Sequence, residues 1–399
     1  MIFYYDSNAV KQNLQNYKPS SDFSLPNSWW AATGDFMPEG LSIHEDGVKE
    51  PGIYPVGFYG WIDFWMGMIK DDPNWHEPDS FLNAMDPVVL QHVRDGKLRI
   101  VIFSGVEGND PTAGIKKLNN SMVNFKLPEK SIIVAYGDLR DYNPLMFDMV
   151  DHAGCFQNCA WLAALQYRKK PIYISKNAKA YNSLNRVWKP HRAAHLYQLA
   201  KDDILKDGVV SCAYLHHLGP AMMLLPEAKE DMVDVMSLNY PKHIDGDHST
   251  TNQATNLNLD VYENSQLSVV TESLYEGEIF FSEKTWKPIY VGHPFMIIGS
   301  KGHLQKLREY GYRTDFSGID DSYDEIENTS DRLRAIQKIL KGWCALSSEE
   351  RMAHLAKSEE AIVHNMIHYR ETNHYQNTVN EIIENTKNYF DNFKKFSSF

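Results

Sequence analysis

An acidic side chain stands directly beside a basic one at Glu283-Lys284, and Lys287 follows one helical turn later. A lysine ammonium neutralises a phosphate as a point charge, and a neighbouring carboxylate can accept hydrogen bonds from a pair of ribose hydroxyls. These three residues are therefore candidates for binding a nucleotide. The alternative is a capped, charged helix start that only faces solvent, which is a common feature of proteins.

The flanking sequence predicts a β-α-β unit around this pair. The β-branched run 268–271 is typical of a short buried strand, and residues 295–298 have the same apolar character. Ser282 stands where a helix N-cap belongs, Pro288 is expected to limit or kink the helix, and Gly292 is placed to end it. In parallel sheets ligands bind at the carboxyl ends of the strands, where helix N-termini offer N–H groups to anions.

A second group of positive charges lies in residues 152–201, which contain nine Lys or Arg and no Asp or Glu. In a chain of net charge −12, such a run indicates an anionic ligand or a polyanion. A short strand, a turn at Asn185-Arg186 and a helix starting at Pro190 are predicted inside the run. Asn185, Arg186 and Arg192 are therefore expected at a second phosphate-binding position in the same sheet.

The first half of the chain also predicts parallel strands. Residues 98–103 and 131–136 are apolar and β-branched, and the first run opens into a glycine-flanked loop that carries Glu107. A carboxylate at the end of such a strand is placed to act as a general base. The alternative is a loop carboxylate with no role, as most exposed acids are.

Large aromatic side chains are dense in residues 51–75, which include Tyr59, Trp61 and Trp65. Aromatic faces stack well on sugars and bases, so these three residues are candidates for binding an acceptor. The alternative is an ordinary aromatic core, where such side chains are more often found.

Three short runs together resemble the donor-binding signature of the family 10 fucosyltransferases. They are Thr-Glu-Ser at 271–273, Phe-Ser-Glu-Lys-Thr-Trp at 281–286 and Gly-His-Pro-Phe-Met-Ile-Ile-Gly at 292–299. The resemblance implies that Glu283 holds the ribose of a nucleotide sugar, that Lys284 holds its diphosphate and that Glu272 lies beside the sugar. It also implies an arginine on the diphosphate, and the location of Arg186 fits that role. The chain departs from the signature, because no Asn separates Glu272 from Ser273.

The resemblance implies the GT-B form of the α/β class, with two Rossmann-like doubly wound domains facing a cleft and C-terminal helices crossing back. On this basis residues 1–172 are the predicted acceptor-side domain and residues 173–345 the nucleotide-sugar domain. Residues 346–399 are predicted to be helices that pack across both. The expected reaction is an inverting sugar transfer from a GDP-fucose-like or UDP-sugar donor to a hydroxyl of a glycan or other carbohydrate, without a metal ion.

Two other functions remain open from the residues. The same fold could glycosylate hydroxylated bases of phage DNA, although the net charge of −12 disfavours a nucleic-acid partner. The chain could also be a non-catalytic module that binds a nucleotide or a sugar. A metal site at Asp245–Asp247 is a further alternative to purely cationic phosphate binding. The sequence lacks a signal peptide and an apolar run long enough to span a membrane, so a cytoplasmic protein is expected.

Overall fold

The computed structural model describes residues 1–5, 40–44, 46–58, 82, 85–104, 112–136, 145–151, 171–185, 189–212, 224–228, 257–277 and 279–396. The chain divides into two compact units. The first contains residues 1–158 and 374–399, and the second contains residues 159–373. The domain limits at residues 172 and 345, expected from the sequence, stay predictions.

The described strands and helices alternate along most of the chain. The strands are β1 Ile2–Tyr5, β2 Gly40–Ser42, β3 Gly52–Phe58, β4 Leu98–Ser104, β5 Ile132–Tyr136, β6 Asp148–Asp151, β7 Tyr181–Asn185, β8 Gly208–Cys212, β9 Ser268–Thr271 and β10 Phe295–Ile298. The helices are α1 Pro87–Arg94, α2 Thr112–Asn124, α3 Pro190–Lys201, α4 Leu259–Glu263, α5 Glu283–Val291, α6 His303–Glu309, α7 Thr329–Ala345, α8 Ser348–Lys357, α9 Glu359–Glu371 and α10 His374–Phe396.

The first unit is built on a parallel sheet. Its described strands lie in the order β2-β1-β3-β4-β5-β6, and every described pair runs parallel. The β-branched runs of β4 and β5 are buried, because both faces of a parallel sheet are covered. The final helix, α10, belongs to this unit: the Thr378 hydroxyl donates to the Asp151 carbonyl at 2.8 Å, and Ile382 packs with Phe3 and Val150.

The second unit is built on a smaller parallel sheet, whose described strands lie in the order β10-β9-β7-β8. The α/β class with parallel sheets in both halves, predicted from the sequence, is confirmed. The strand order matters for function. From β7 the chain turns to one side to form β8, whereas β9 and β10 lie on the other side. The carboxyl ends of β7 and β9 therefore flank a topological switch point, which is where open parallel sheets bind ligands.

Local signals set the helix limits of this unit as predicted, with one exception. Ser282 caps α5, and Gly292 ends it in the left-handed conformation (φ 71°, ψ 49°) that glycine adopts at low cost. Pro190 is the first residue of α3, and Ser347 with Glu350 forms the predicted capping box of α8. Pro288 does not end α5: it lies inside the helix, which continues to Val291.

No helix in the described ranges is both long and apolar enough to cross a bilayer. The cytoplasmic location expected from the sequence stays a prediction.

Candidate functional site

The candidate site lies at the carboxyl edge of the second sheet, around the switch point. Asn185 ends β7, and Thr271 ends β9. The Thr271 hydroxyl donates to the Asn185 side-chain carbonyl at 2.8 Å, which ties the two strand ends together across the switch point. The helices α3 and α5, which follow along the chain after these strands, begin at this edge. The residues at the starts of α3 and α5 therefore lie close to the switch point.

Glu272 directly follows β9, and its side chain holds the start of α5. The carboxylate is fully buried and accepts the N–H of Ser282 at 3.1 Å and the Ser282 hydroxyl at 2.6 Å. It also accepts the Thr285 hydroxyl at 2.5 Å and the N–H of Ser273 at 3.0 Å. A buried carboxylate surrounded by donors in this way fixes the local backbone. Glu272 is thus placed to position α5, and its direct contact with a sugar stays a prediction.

The charged pair forms the first turn of α5. Lys284 Nζ lies 2.8 Å from Glu283 Oε1, and the two side chains are 26% and 18% exposed. Burial alone would raise the pKa of Glu283, but the charges of Lys284 and Lys287 outweigh it and lower that pKa to about 2. Glu283 is therefore ionised at neutral pH and electrostatically matched to two lysines. The three residues predicted from the sequence are brought together here, with Lys287 also half-buried.

The backbone N–H groups at this helix start already have partners, which corrects the expectation that they stand open to an anion. The N–H of Lys284 donates to Ser282 Oγ at 3.2 Å, and the N–H of Thr285 donates to the Ser282 carbonyl at 3.2 Å. The N–H of Glu283 bonds its own carboxylate, which contributes to the low pKa of that group. An anion would therefore be held chiefly by the ammonium groups of Lys284 and Lys287.

A third described helix start at this edge, that of α6, is filled by a side chain of the chain itself. Asp324 is buried, and its carboxylate accepts the N–H groups of Leu304 and Gln305 at 2.9 and 2.8 Å, in the first turn of α6. Burial raises the pKa of Asp324. Both helix starts therefore have internal partners for their N–H groups, but the start of α5 also carries the ammonium groups of Lys284 and Lys287, which can hold an external anion.

The start of α3 contributes buried groups on the far side of Glu272. Arg192 Nη2 donates to the backbone carbonyls of Thr271 and Glu272 at 3.2 and 3.1 Å, and His191 Nε2 lies 2.8 Å from the same Glu272 carbonyl. Glu272 thereby joins the two helix starts, through its carbonyl to α3 and through its carboxylate to α5. Lys189 Nζ donates to the Ser273 carbonyl at 2.7 Å and reinforces the connection.

Several residues predicted to bind the donor form a polar layer under the edge. Asn185 is 2% exposed, and its side-chain amide also donates to Ser183 Oγ at 3.1 Å. Arg192 is 3% exposed and donates its described hydrogen bonds to backbone carbonyls. Burial lowers the pKa of His195, next to Ser183, to about 3, so that ring is neutral. Direct contact of Asn185 and Arg192 with a donor stays a prediction, because the structure shows both as supports.

Other predicted residues lie outside the described ranges. These are Arg186, Glu107 and the aromatic residues Tyr59, Trp61 and Trp65, together with the alternative metal loop at Asp245–Asp247. Within the described ranges, no three His, Cys, Asp or Glu side chains come together as a metal site. Metal independence and the roles of these residues therefore stay predictions.

Sequence reasoning did not single out His191 or Ser282 for this site. Ser282 was expected only as a helix cap, and its second role follows from a hydrogen bond to a carboxylate 10 residues earlier in the chain. His191 carried no local signal beyond its place beside Pro190. Both residues become part of the site only because β9 brings Glu272 between the two helices.

The fold and the site together define an α/β protein with a candidate anion site at the switch point of a parallel sheet. No protein-family model matches the chain, and a search of curated proteins gives no significant match.

Among solved structures, the chain is similar to an alpha,alpha-trehalose-phosphate synthase (UDP-forming) from Burkholderia vietnamiensis, with 10% sequence identity, a TM-score of 0.31, and coverage of 80% of this chain and 72% of that chain. The apo structure of OtsA aligns at 15% identity and a TM-score of 0.32, over 90% and 83% of the two chains. The alpha,alpha-trehalose 6-phosphate synthase from Burkholderia multivorans aligns at 10% identity and a TM-score of 0.31, over 79% of this chain and 69% of that chain.

Proposed function

We propose that this protein is a glycosyltransferase that takes a sugar from a nucleotide-sugar donor and joins it to a hydroxyl of a glycan or other carbohydrate. The observation that carries the proposal is the Glu283–Lys284 pair at the start of α5, beside the switch point of the second sheet. The proposal is supported by this position, because a lysine can pair with a diphosphate, a carboxylate can accept ribose hydroxyls, and parallel sheets bind nucleotides at such an edge. The two parallel-sheet units are also the components of a GT-B enzyme.

In this structure, the Glu283 carboxylate lies where we propose that the donor diphosphate binds. The carboxylate bonds Lys284 and the Glu283 N–H, so it substitutes for a phosphate at the helix start. When the nucleotide binds, Glu283 turns to accept the ribose hydroxyls, and Lys284 with Lys287 turns to the diphosphate. The diphosphate replaces the Glu283 carboxylate as the partner of the lysines, so the lysines stay paired with an anion. Lysine side chains are flexible enough to make this movement.

The chemical step is a single displacement with inversion. A base removes the proton from the acceptor hydroxyl, whose oxygen then forms a bond to the anomeric carbon of the donor sugar. The bond from that carbon to the diphosphate oxygen breaks, and its electron pair leaves with the nucleoside diphosphate. Lys284 stabilises the charge that develops on this leaving group. Glu107 is the proposed base, and Arg186 the proposed second cation, both on the sequence argument alone.

The donor is a GDP-fucose-like or UDP-sugar nucleotide. The resemblance of residues 271–299 to the family 10 signature favours the first. No metal ion is required in this scheme, because lysine and arginine side chains supply the positive charge.

A nucleotide panel tests the proposal. The protein is heated with GDP, UDP, CMP and dTDP, each alone and as the corresponding nucleotide sugar, and the melting temperature is recorded. One nucleotide family should stabilise the fold, since a ligand at 100 times its Kd adds about 2.7 kcal/mol to the free energy of unfolding. The protein should also slowly hydrolyse the nucleotide sugar of the family that stabilises it. Stabilisation by no nucleotide would contradict the proposal, and binding without hydrolysis or transfer would favour a non-catalytic module.

A further inference from the structure

One buried nitrogen at the start of α3 has a defined chemical state. His191 Nε2 lies 2.8 Å from the backbone carbonyl oxygen of Glu272. A carbonyl oxygen only accepts hydrogen bonds, so Nε2 carries the proton of the ring. Burial, followed by the charge of Arg192, lowers the pKa of His191 well below its ordinary value, so the ring is neutral. Nδ1 is therefore an unprotonated acceptor.

This acceptor is left without a donor. His191 is fully buried, and among the described residues Nδ1 has no hydrogen-bond partner. Leaving a buried acceptor unpaired costs about 1–3 kcal/mol, and native proteins contain few such groups. The ring cannot easily turn away, because it is held by the Glu272 carbonyl and packs against Tyr275, with the ring centroids 4.6 Å apart and the planes tilted by 30°. A fixed, unpaired acceptor at a ligand-binding edge indicates a missing donor.

The chemistry of Nδ1 selects the kind of ligand group that pairs with it. Phosphate oxygens at neutral pH accept hydrogen bonds, so they would be repelled by this lone pair. A hydroxyl donates one. Glu272 connects His191 to the cap of α5, where the nucleotide's phosphates and ribose are assigned to Lys284 and Glu283. The hydroxyl-bearing part of the donor that remains is the sugar.

We propose that His191 Nδ1 accepts a hydrogen bond from a hydroxyl of the donor sugar, so that His191 is a specificity-determining residue for that sugar. The inference rests on the proposed function. It predicts that the ring, which is buried in this structure, becomes accessible to the sugar when the nucleotide sugar binds. A nucleoside diphosphate without its sugar does not use this acceptor.

Two substitutions separate the two ring nitrogens. Gln places its amide near the position of Nε2, so His191→Gln keeps a donor for the Glu272 carbonyl and loses the acceptor at Nδ1. Asn places its amide near the position of Nδ1, so His191→Asn keeps an acceptor there and loses the bond to Glu272. Affinities for GDP, GDP-fucose, UDP and UDP-glucose are measured by titration calorimetry for both variants and the parent, with the melting temperature of each.

His191→Gln should bind the nucleotide sugar about 3–10-fold more weakly than the parent, as expected for the loss of one neutral hydrogen bond. Its affinity for the nucleoside diphosphate should stay within about twofold, and its melting temperature near that of the parent. His191→Asn should show the reverse: a lower melting temperature and a nucleotide-sugar affinity within about threefold of the parent. A series of deoxy-sugar analogues then identifies the hydroxyl, because the penalty of His191→Gln disappears for the analogue that lacks it.

Unchanged nucleotide-sugar affinity in His191→Gln would overturn the inference while leaving the proposed function intact. Equal losses for the nucleotide sugar and the nucleoside diphosphate would also overturn it, since the acceptor would then serve the nucleotide. If the parent protein binds none of the four ligands, the proposed function fails first, and the inference fails with it.

Discussion

Glu272 and Ser282 are joined by two hydrogen bonds, from the Ser282 N–H at 3.1 Å and from its hydroxyl at 2.6 Å. The Ser282 oxygen in turn accepts the N–H of Lys284 and lies 3.2 Å from the Lys284 ammonium nitrogen. The buried carboxylate thus fixes the orientation of the Ser282 hydroxyl, and that hydroxyl helps to place Lys284. Glu272 acts in this way as a positioning residue for the cation that is assigned to the donor.

Two hydroxyl deletions test this relay. Ser282→Ala and Thr285→Val each remove a hydroxyl that donates to Glu272, but only the Ser282 oxygen contacts the Lys284 ammonium. Both should lower the free energy of unfolding by about 1–2 kcal/mol, measured by chemical denaturation. Only Ser282→Ala should weaken nucleoside diphosphate binding, by about 3–10-fold. Equal binding losses in the two variants would show that the effect is general destabilisation.

The low pKa of Glu283 predicts a pH dependence of stability. Its folded-state pKa of about 2 lies below the ordinary glutamate value of 4.5 because the charges of Lys284 and Lys287 outweigh burial. The ion pair therefore stabilises the fold above about pH 4.5, and that contribution is lost as the pH falls through about 2. Glu283→Gln should be less stable than the parent at pH 7, by about 1–3 kcal/mol.

The difference between the two proteins should shrink as the pH is lowered from 4.5 toward 2. It is measured by urea denaturation at a series of pH values. A difference that stays constant over this range would show that Glu283 is not ionised through its contacts with the lysines.

Asp324 should stabilise the fold without affecting the affinity for the donor nucleotide. Asp324→Asn replaces one carboxylate oxygen with an amide that cannot accept the N–H of Leu304 or Gln305. The free energy of unfolding should fall by about 1–3 kcal/mol, the cost of leaving a buried donor unpaired. Nucleoside diphosphate affinity, measured below the melting transition, should stay within about twofold. A large loss of affinity would instead place the anion site at α6.

The elements of the second sheet could be predicted because their signals are local. The β-branched run of β9, the Ser282 cap and Gly292 each act within a few residues, and the structure places all three as expected. The role of Glu272 could not be predicted in the same way. Its partners Ser282 and Thr285 lie 10 and 13 residues along the chain, so the contacts depend on how the loop folds back.

Tertiary packing also decides which polar residues face a ligand. The sequence places Asn185 and Arg192 near a strand end and a helix start, and the structure agrees with that placement. The sequence alone does not reveal that both side chains are buried and hydrogen-bonded to neighbouring strands. The spacing of charged residues therefore predicts a candidate site, while the burial of Asn185 and Arg192 follows only from the packed structure.

Metal independence is testable by chelation. Because the positive charge is assigned to lysine and arginine side chains, transfer or donor hydrolysis should survive excess EDTA with less than about a twofold change in rate. The rate is measured before and after chelation and again after addition of manganese or magnesium. Loss of activity that either ion restores would move the assignment to the Asp245–Asp247 loop.

The central claim is that the start of α5 binds the diphosphate of a nucleotide, and Lys284→Ala tests it most directly. Lys301→Ala is the matched control, because Lys301 also pairs with a glutamate, Glu327, next to a helix start that Asp324 already fills. Nucleoside diphosphate affinity is measured by titration calorimetry. Lys284→Ala should weaken it by about 10–100-fold, the loss of about 1.5–3 kcal/mol expected for a hydrogen bond to a charged group, and Lys301→Ala should leave it unchanged. Unchanged affinity in Lys284→Ala, or an equal loss in both variants, would contradict the claim.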